Sequence, residues 1–252
     1  MRKSNIVTGI QTYDLEYFKS FSDSRIKAVA LCAEVGLLMY KIHHSLVVAD
    51  AALLIAEEVK KQVKADLNMD VIEIGAILHD IGISQINMDN MPEHAYIGGE
   101  IARAAGYSEE VARCIERHDG AGFVKEFVLA LNLPRSVEKD DMLPETWVEK
   151  IVAYADLIIS IEAEAQLDFW NDDYSAAKLY YPYLAELYKN RLGLRFPKNH
   201  PQFDYIIEFN KCMRRFAPKE KYEARLRVQI NRMVDSIRSF GLQIPCNSLK
   251  QW

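Results

Sequence analysis

The sequence has few cysteines, and their spacing excludes several site types. None of the four forms the Cys-x-x-Cys pair that is typical of structural zinc sites. Cys32, Cys114, Cys212 and Cys246 lie far apart along the 252 residues, which disfavours a disulfide framework. The pattern instead predicts buried thiols in a reducing compartment.

Positive charge and long apolar runs are also lacking. Acidic residues outnumber basic residues by 36 to 31, so the chain lacks the basic footprint of a protein whose main partner is nucleic acid. The longest apolar stretch, from Ala28 to Tyr40, is interrupted by Glu34 and is too short to span a bilayer. The basic N-terminus is followed by no apolar signal segment. These absences predict a cytoplasmic protein with no membrane partner and no strong nucleic-acid partner.

Alternating strand patterns are missing as well, whereas helical periodicity dominates. Half of the residues are hydrophobic, which is enough for one large core. We therefore predict an all-α fold, with a long loop over residues 119–143. The predicted helices cover about residues 24–64 with a break near Gly36, 70–81, 92–105, 108–118, 144–161, 173–191, 201–216 and 218–240.

Histidine is scarce, yet four of the six histidines share a helical face with apolar residues. A lone inward histidine is most often a satisfied core residue. Several imidazoles and carboxylates that converge must be satisfied together, and a metal ion does this directly. Nitrogen and oxygen ligands without thiolate suit Fe, Mn or Zn. The sequence predicts a metal site built from His44, His79, Asp80, His94, His118 and Asp156.

Five segments of the chain resemble the HD-domain metal-dependent phosphohydrolases. They occur in the family's order between residues 40 and 162, and they are closest to its archaeal HDIG-type members: "HSLVVADAALLIAEEV", "ILHDIGIS", "EHAYIGGEIARAAGY", "IERHDGAGF" and "PETWVEKIVAYADLI". The resemblance implies a helical core around one or two ions. One ion would be held by His44, His79, Asp80 and Asp156. Asp80 would bridge to a second ion on His94 and His118.

The chain departs from the family at three positions. Many relatives carry a basic residue after the HDIG motif, where this chain has Ile83, and an arginine three residues after the first histidine, where it has Val47. Some dinuclear members have glutamate where this chain has Tyr40. These changes remove phosphate contacts, so they bear on the substrate more than on the metal.

The resemblance implies a metal-dependent phosphohydrolase that acts on a small phosphorylated metabolite or nucleotide through a metal-bound hydroxide. Two divalent ions would be drawn from Fe, Mn, Co, Zn or Ni, with Mg also allowed. Asp80 and Lys125 are the candidate catalytic residues, although Lys125 also fits a solvated surface lysine. Without an ion the carboxylates would repel, so Asp80→Ala is expected to raise the stability of the metal-free protein.

Two other functions remain open at this stage. Some six-ligand HD proteins resemble mixed-valent di-iron oxygenases, and iron content with oxygen consumption would separate these from hydrolases. The third alternative is a non-catalytic sensor or scaffold in which the metal is structural.

The chain divides by composition into two parts. Residues 1–164 are predicted to form the metal-binding core with its N-terminal helices, and residues 165–252 a helical extension. This extension is rich in aromatic residues. We predict that it packs on the core and narrows the pocket entrance, although the surface of a homodimer would use the same residues.

Overall fold

The computed structural model describes residues 20–86, 93–119, 122–130, 142–159 and 201–217. No β-strand lies within these ranges, and one isolated antiparallel bridge joins Phe123 to Met142. The predicted all-α fold is confirmed. The helices in these ranges are α1 Asp23–Glu34, α2 Met39–Val63, α3 Met69–Leu78, α4 His94–Ala104, α5 Glu109–Glu116, α6 Lys125–Ala130, α7 Trp147–Ile159 and α8 Pro201–Met213, with 3₁₀ turns at Ile81–Gln85 and Arg214–Phe216.

Glycines with positive φ end two of the helices. Gly36 has φ +88° and follows α1, where Leu37 donates its amide to the carbonyl of Cys32 at 2.9 Å. Gly106 has φ +83° and follows α4 with the same bonding pattern. Both ends are Schellman motifs, which a residue with a Cβ adopts only with strain. The predicted break near Gly36 is therefore confirmed.

Two predicted boundaries differ from the structure. Helix α5 begins as expected after Ser108, whose hydroxyl accepts from the amide of Val111, but it ends at Glu116 and leaves His118 beyond its last turn. The predicted loop over residues 119–143 contains the short helix α6. Its apolar residues Phe127 and Val128 are buried, so tertiary packing makes a helix of a segment whose flanking glycines and proline favour a loop.

The core is formed where α2 packs against α3 and α7. Helix α4 packs against α5 and against the 3₁₀ turn after α3. Helix α8 covers α7, and its residues Ile206, Phe209 and Met213 join the same apolar core. The predicted boundary near residue 164 and the helices predicted over 173–191 and 218–240 lie outside the described residues. The division into core and extension stays a prediction.

The thiols are not all buried. Cys32 and Cys114 lie in the core, and burial raises the pKa of Cys32 to about 12. Cys212 is exposed on α8, so the prediction of buried thiols is wrong there. Cys246 lies outside the described residues. None of the helices that the structure describes is long and apolar enough to cross a membrane.

Gly82 fixes the path of the chain from α3 to α4. A Cβ at this position would overlap the carbonyl oxygen of His94 and lie 2.7 Å from the amide nitrogen of Gly98. Both neighbours are backbone atoms, which cannot rotate away. The absence of a side chain at Gly82 therefore allows the 3₁₀ turn to lie directly against the first turn of α4.

We expect Gly82→Ala to lower the free energy of unfolding by about 3 kcal/mol or more, the upper end of the cost of overpacking. The matched control is Gly106→Ala, where nothing lies within 4 Å and only a positive φ is strained, at about 1–2 kcal/mol. Urea unfolding of both variants measures the difference. Equal losses would show that the contact with α4 is unimportant.

Candidate metal centre

The structure brings all six predicted ligand residues together at the ends and inner faces of five helices. His44 lies on α2 and Asp156 on α7, both within their helices. The other four lie at helix ends: His79 and Asp80 directly after α3, His94 as the first residue of α4, and His118 two residues after α5. Asp156 is the most exposed of the six, with a side chain 17% exposed.

One side of the cluster is built around Asp156. Its Oδ1 lies 3.0 Å from Nε2 of His44 and 3.4 Å from Nε2 of His79. The ligand atoms of these three residues all lie within 4.8 Å of one another, a spacing that can hold one metal ion.

The other side is built from His94 and His118. Their Nε2 atoms are 3.2 Å apart, and they lie 3.5 Å and 3.8 Å from Oδ1 of Asp80. His118 and Asp80 also form a second group with metal-ligand spacing together with His79. The cluster therefore offers two overlapping sets of ligand atoms.

Asp80 lies between the two sides of the cluster and turns one oxygen to each. Its Oδ1 faces His94 and His118, whereas Oδ2 is 3.4 Å from Nε2 of His79 and 3.9 Å from Nε2 of His44. A carboxylate in this position can bind a separate cation through each oxygen.

Backbone carbonyls fix the position of a hydrogen on two of the imidazole rings. Nδ1 of His79 donates to the carbonyl of Ala76, and Nδ1 of His118 donates to the carbonyl of Ile115, both at 2.7 Å. A carbonyl oxygen can only accept, so Nδ1 carries a hydrogen and Nε2 faces the cluster, where the neutral ring presents a lone pair. Such a bond from the far ring nitrogen is what orients a metal-binding histidine.

Nε2 of His79 is a buried nitrogen without a hydrogen-bond partner among the described residues. It points towards the oxygens of Asp80 and Asp156, both 3.4 Å away. A fully satisfied core histidine would leave no such atom. The donor set of imidazole nitrogens and carboxylate oxygens, with this lone pair aimed into it, fits a divalent transition metal.

Mutual electrostatics shift the pKa values of three residues of the cluster. Burial alone would lower the pKa of His79, but the carboxylates of Asp80 and Asp156 outweigh it and raise this pKa to about 10. Burial alone would raise the pKa of Asp80, but Lys41 and His79 hold it well below its usual range. Asp156 likewise has a lowered pKa, because His79 and His44 outweigh its burial. A bound cation would replace the proton on the imidazole.

Two residues at the cluster lie outside the six predicted ligands and the two predicted catalytic residues. Lys41 donates from Nζ to Oδ2 of Asp80 at 3.1 Å, and Asp119 lies with Oδ2 3.9 Å from Nδ1 of His94. Burial and the nearby carboxylates of Asp156 and Asp80 raise the pKa of Asp119, against the opposing effect of His94 and His118. The spacing of Lys41 three residues before His44 was the available signal for Lys41, since it places both on one face of α2.

Buried ion pairs connect α5 to α7 beside the cluster. Glu149, 3% exposed, binds Arg113 at 3.1 Å and Arg117 at 2.9 Å. The amide of Glu149 donates to the hydroxyl of Thr146 at 3.2 Å, which is half of a capping box, but the carboxylate of Glu149 accepts from the amide of Glu145 and from Arg117. These bonds hold the helix of Asp156 against the helix that precedes His118.

Lys125, the other candidate catalytic residue, is the first residue of α6 and is exposed. Its contact with a substrate stays a prediction.

Comparison with known proteins gives a family and several relatives. The profile of one family, described as the HD domain, matches residues 42–159. An uncharacterized protein of Methanocaldococcus jannaschii is 33% identical over 169 residues, which cover 67% of this chain and 85% of that protein.

Two further similarities are more limited. A tRNA (cytidine(56)-2'-O)-methyltransferase of Thermoplasma volcanium is 35% identical over 144 residues, which cover 57% of this chain but 39% of the enzyme. The methyl transfer in that name is a property of the whole of that longer protein. The crystal structure of the L. monocytogenes phosphodiesterase PgpH HD domain in complex with cyclic-di-AMP matches with a TM-score of 0.38 and 16% identity, over 73% of this chain and 94% of that one.

The contacts of Asp80 reverse the expected effect of removing it. The sequence predicts that Asp80→Ala stabilises the metal-free protein by ending carboxylate repulsion, but the structure pairs Asp80 with Lys41 and His79. With chelator present, we expect this variant to lower the free energy of unfolding by about 1–3 kcal/mol, because a cation loses its partner. Thermal unfolding measures it, with exposed Asp66→Ala as the control, expected within about 0.5 kcal/mol of wild type. A rise in stability would restore the repulsion argument.

Proposed function

We propose that this chain, which belongs to the HD-domain family, is a metal-dependent phosphohydrolase that hydrolyses a phosphate ester of a small metabolite or nucleotide. His44, His79, Asp80, His94, His118 and Asp156 would hold two divalent ions, with Asp80 shared between them. Its metal would come from Fe, Mn, Co, Zn or Ni, with Mg also allowed.

The observation that carries this proposal is the unpartnered Nε2 of His79. This nitrogen is fully buried and faces two carboxylates, while the other ring nitrogen, Nδ1, donates to a backbone carbonyl. A purely structural cluster would gain by giving this atom a hydrogen-bond partner, since burying an unpaired polar group costs free energy. A site prepared for a cation instead leaves this nitrogen aimed at the two carboxylates, where a metal ion can take the place of a proton.

Divalent ions bound there would polarise phosphoryl oxygens and lower the pKa of water, which is the chemistry that phosphate-ester hydrolysis needs. The residues of the chain would fix where these ions bind. The backbone carbonyls of Ala76 and Ile115 fix the rings of His79 and His118. Asp80 has one oxygen on each side of the cluster, so its carboxylate would set the distance between the two ions.

The exposure of the cluster supports a small substrate. His79 is fully buried and His118 nearly so, whereas Asp156, Lys41 and Asp119 have side chains 17%, 18% and 27% exposed. A substrate would therefore approach from the side of these three residues and present a terminal phosphate to the ions.

Helix α8 supports a role of the C-terminal part in closing the site. The buried side chain of Gln202 donates to the carbonyl of Gly122 at 2.7 Å and accepts from the amide of Val124 at 2.8 Å. It thereby holds the segment that follows His118 and Asp119. We extend the proposal to residues 165–252 as a wall of the pocket that limits substrate size.

The number of ions is tested by metal analysis. Loaded with Mn, Co or Fe and freed of excess metal, wild type should hold two ions per chain, and His94→Ala should hold one, because the set around Asp156 does not use His94. Inductively coupled plasma mass spectrometry gives the ratio. Two ions retained by His94→Ala would remove His94 from the proposed ligands.

Activity is tested by a screen of phosphomonoesters, nucleotides and cyclic dinucleotides with Mn, Co, Fe or Mg added. Asp80→Ala should lower kcat by more than about 100-fold, because replacing a residue that only hydrogen-bonds to a metal ligand already lowers activity or metal affinity by about 10–100-fold. Asp156→Ala should be less severe, and the control Asp66→Ala should match wild type.

Three outcomes would contradict the proposal. Full activity of Asp80→Ala would remove its mechanism. Bound iron with oxygen consumption and no ester hydrolysis would indicate an oxygenase. Tightly held metal with no turnover of any kind would indicate a sensor or scaffold.

A further inference from the structure

Lys41 reaches from the surface into the six-residue cluster. It lies in the first turn of α2, and its ammonium is 3.1 Å from Oδ2 of Asp80. The side chain is 18% exposed, whereas that of Asp80 is 7% exposed. The ammonium therefore lies at the boundary between the buried ligand atoms and the solvent.

The partner of Lys41 distinguishes it from four ion-paired arginines of the described residues. Each of those arginines is ion-paired with acidic residues outside the cluster: Arg25 with Asp50 and Glu73, Arg103 with Glu100, Glu109 and Glu116, and Arg113 and Arg117 with Glu145 and Glu149. Among the lysines and arginines of the described residues, Lys41 is the one that forms an ion pair with a proposed metal ligand, Asp80.

Metal binding changes the electrostatics around Lys41. Asp80 and Asp156 bring two formal negative charges to the cluster, and neutral imidazoles add none. Two divalent ions would exceed that charge, and the ammonium of Lys41 would add to the excess. An ammonium repelled by cations on Asp80 is stable beside them only when an anion lies between.

We propose that Lys41 binds the phosphoryl group of the substrate. When metal ions occupy the site, its ammonium would leave Asp80 and pair with a phosphate oxygen instead. This inference rests on the proposed function and adds the residue that recognises the anion. Lysine is an effective phosphate binder, since its compact charge lies on a flexible four-carbon stem. The stem lets the ammonium swing from Asp80 towards the solvent side without moving α2.

The departures from the family pattern leave this role open to Lys41. Val47 is buried in the core at 1% exposure, and Ile83 carries no charge. Neither position can supply the charge-assisted bond to phosphate. Lys41 provides a positive charge at the more exposed edge of the cluster.

The test measures binding of inorganic phosphate to the metal-loaded full chain by isothermal titration calorimetry. Lys41→Met keeps the length of the side chain and removes its charge, and it should weaken phosphate binding by about 10- to 100-fold, the loss of one hydrogen bond to a charged group. Lys41→Arg keeps the charge and should bind phosphate within several-fold of wild type. With a substrate from the screen, Lys41→Met should raise KM more than it lowers kcat.

The control is Lys61→Met, on the same helix but at its far end, where the side chain is 67% exposed and pairs with Glu58. It should leave phosphate affinity and metal content unchanged. Metal content should also stay at the wild-type ratio in Lys41→Met, which separates a loss of phosphate from a loss of ions. If Lys41→Met does not fold, Lys41→Gln takes its place, because an amide can still donate to Asp80.

The inference is overturned if the charge-free variant binds phosphate as wild type does, or if metal-loaded wild type binds no phosphate. Tighter metal binding by Lys41→Met with unchanged phosphate affinity would also overturn it, and would show that Lys41 only neutralises Asp80. The proposed function fails separately: phosphate binding that depends on Lys41, without hydrolysis of any ester, would refute the hydrolase and keep the anion site.

Discussion

A buried carboxylate needs compensating positive charge, and the arrangement around Asp80 follows from that requirement. Its oxygens lie between 3.1 and 3.9 Å from Nζ of Lys41 and from Nε2 of His44, His79 and His94. An unpaired charge at this depth would cost several kcal/mol. The helices that bring these groups to Asp80 are the ones that pack at the centre of the core, so the same contacts serve the fold and the site.

The sequence predicted those parts of the structure that depend on local periodicity. His44 and Asp156 lie on inner faces of long helices, where spacing with apolar neighbours indicates direction. Gly36 and Gly106 mark helix ends because only positive φ completes those turns. The all-α fold and the gathering of the six residues both follow from such patterns.

Pairings between distant residues were not predictable in the same way. Lys41 and Asp80 are 39 positions apart, and no periodicity within either helix connects them. Asp119 follows a helix that ends earlier than its pattern indicates, and α6 forms because its apolar side chains find a core. Each of these depends on tertiary packing, which overrides local preference. The expected stability of Asp80→Ala changed sign for the same reason.

The positions of the histidines at helix ends have an electrostatic consequence. His79 and His118 follow the C-termini of α3 and α5, where the helix macrodipole directs partial negative charge at the cluster, while His94 begins α4 at a partially positive N-terminus. The two C-termini favour cations. Shifting where a helix stops, through its capping residues, would therefore tune how tightly the site holds a cation without replacing a single ligand.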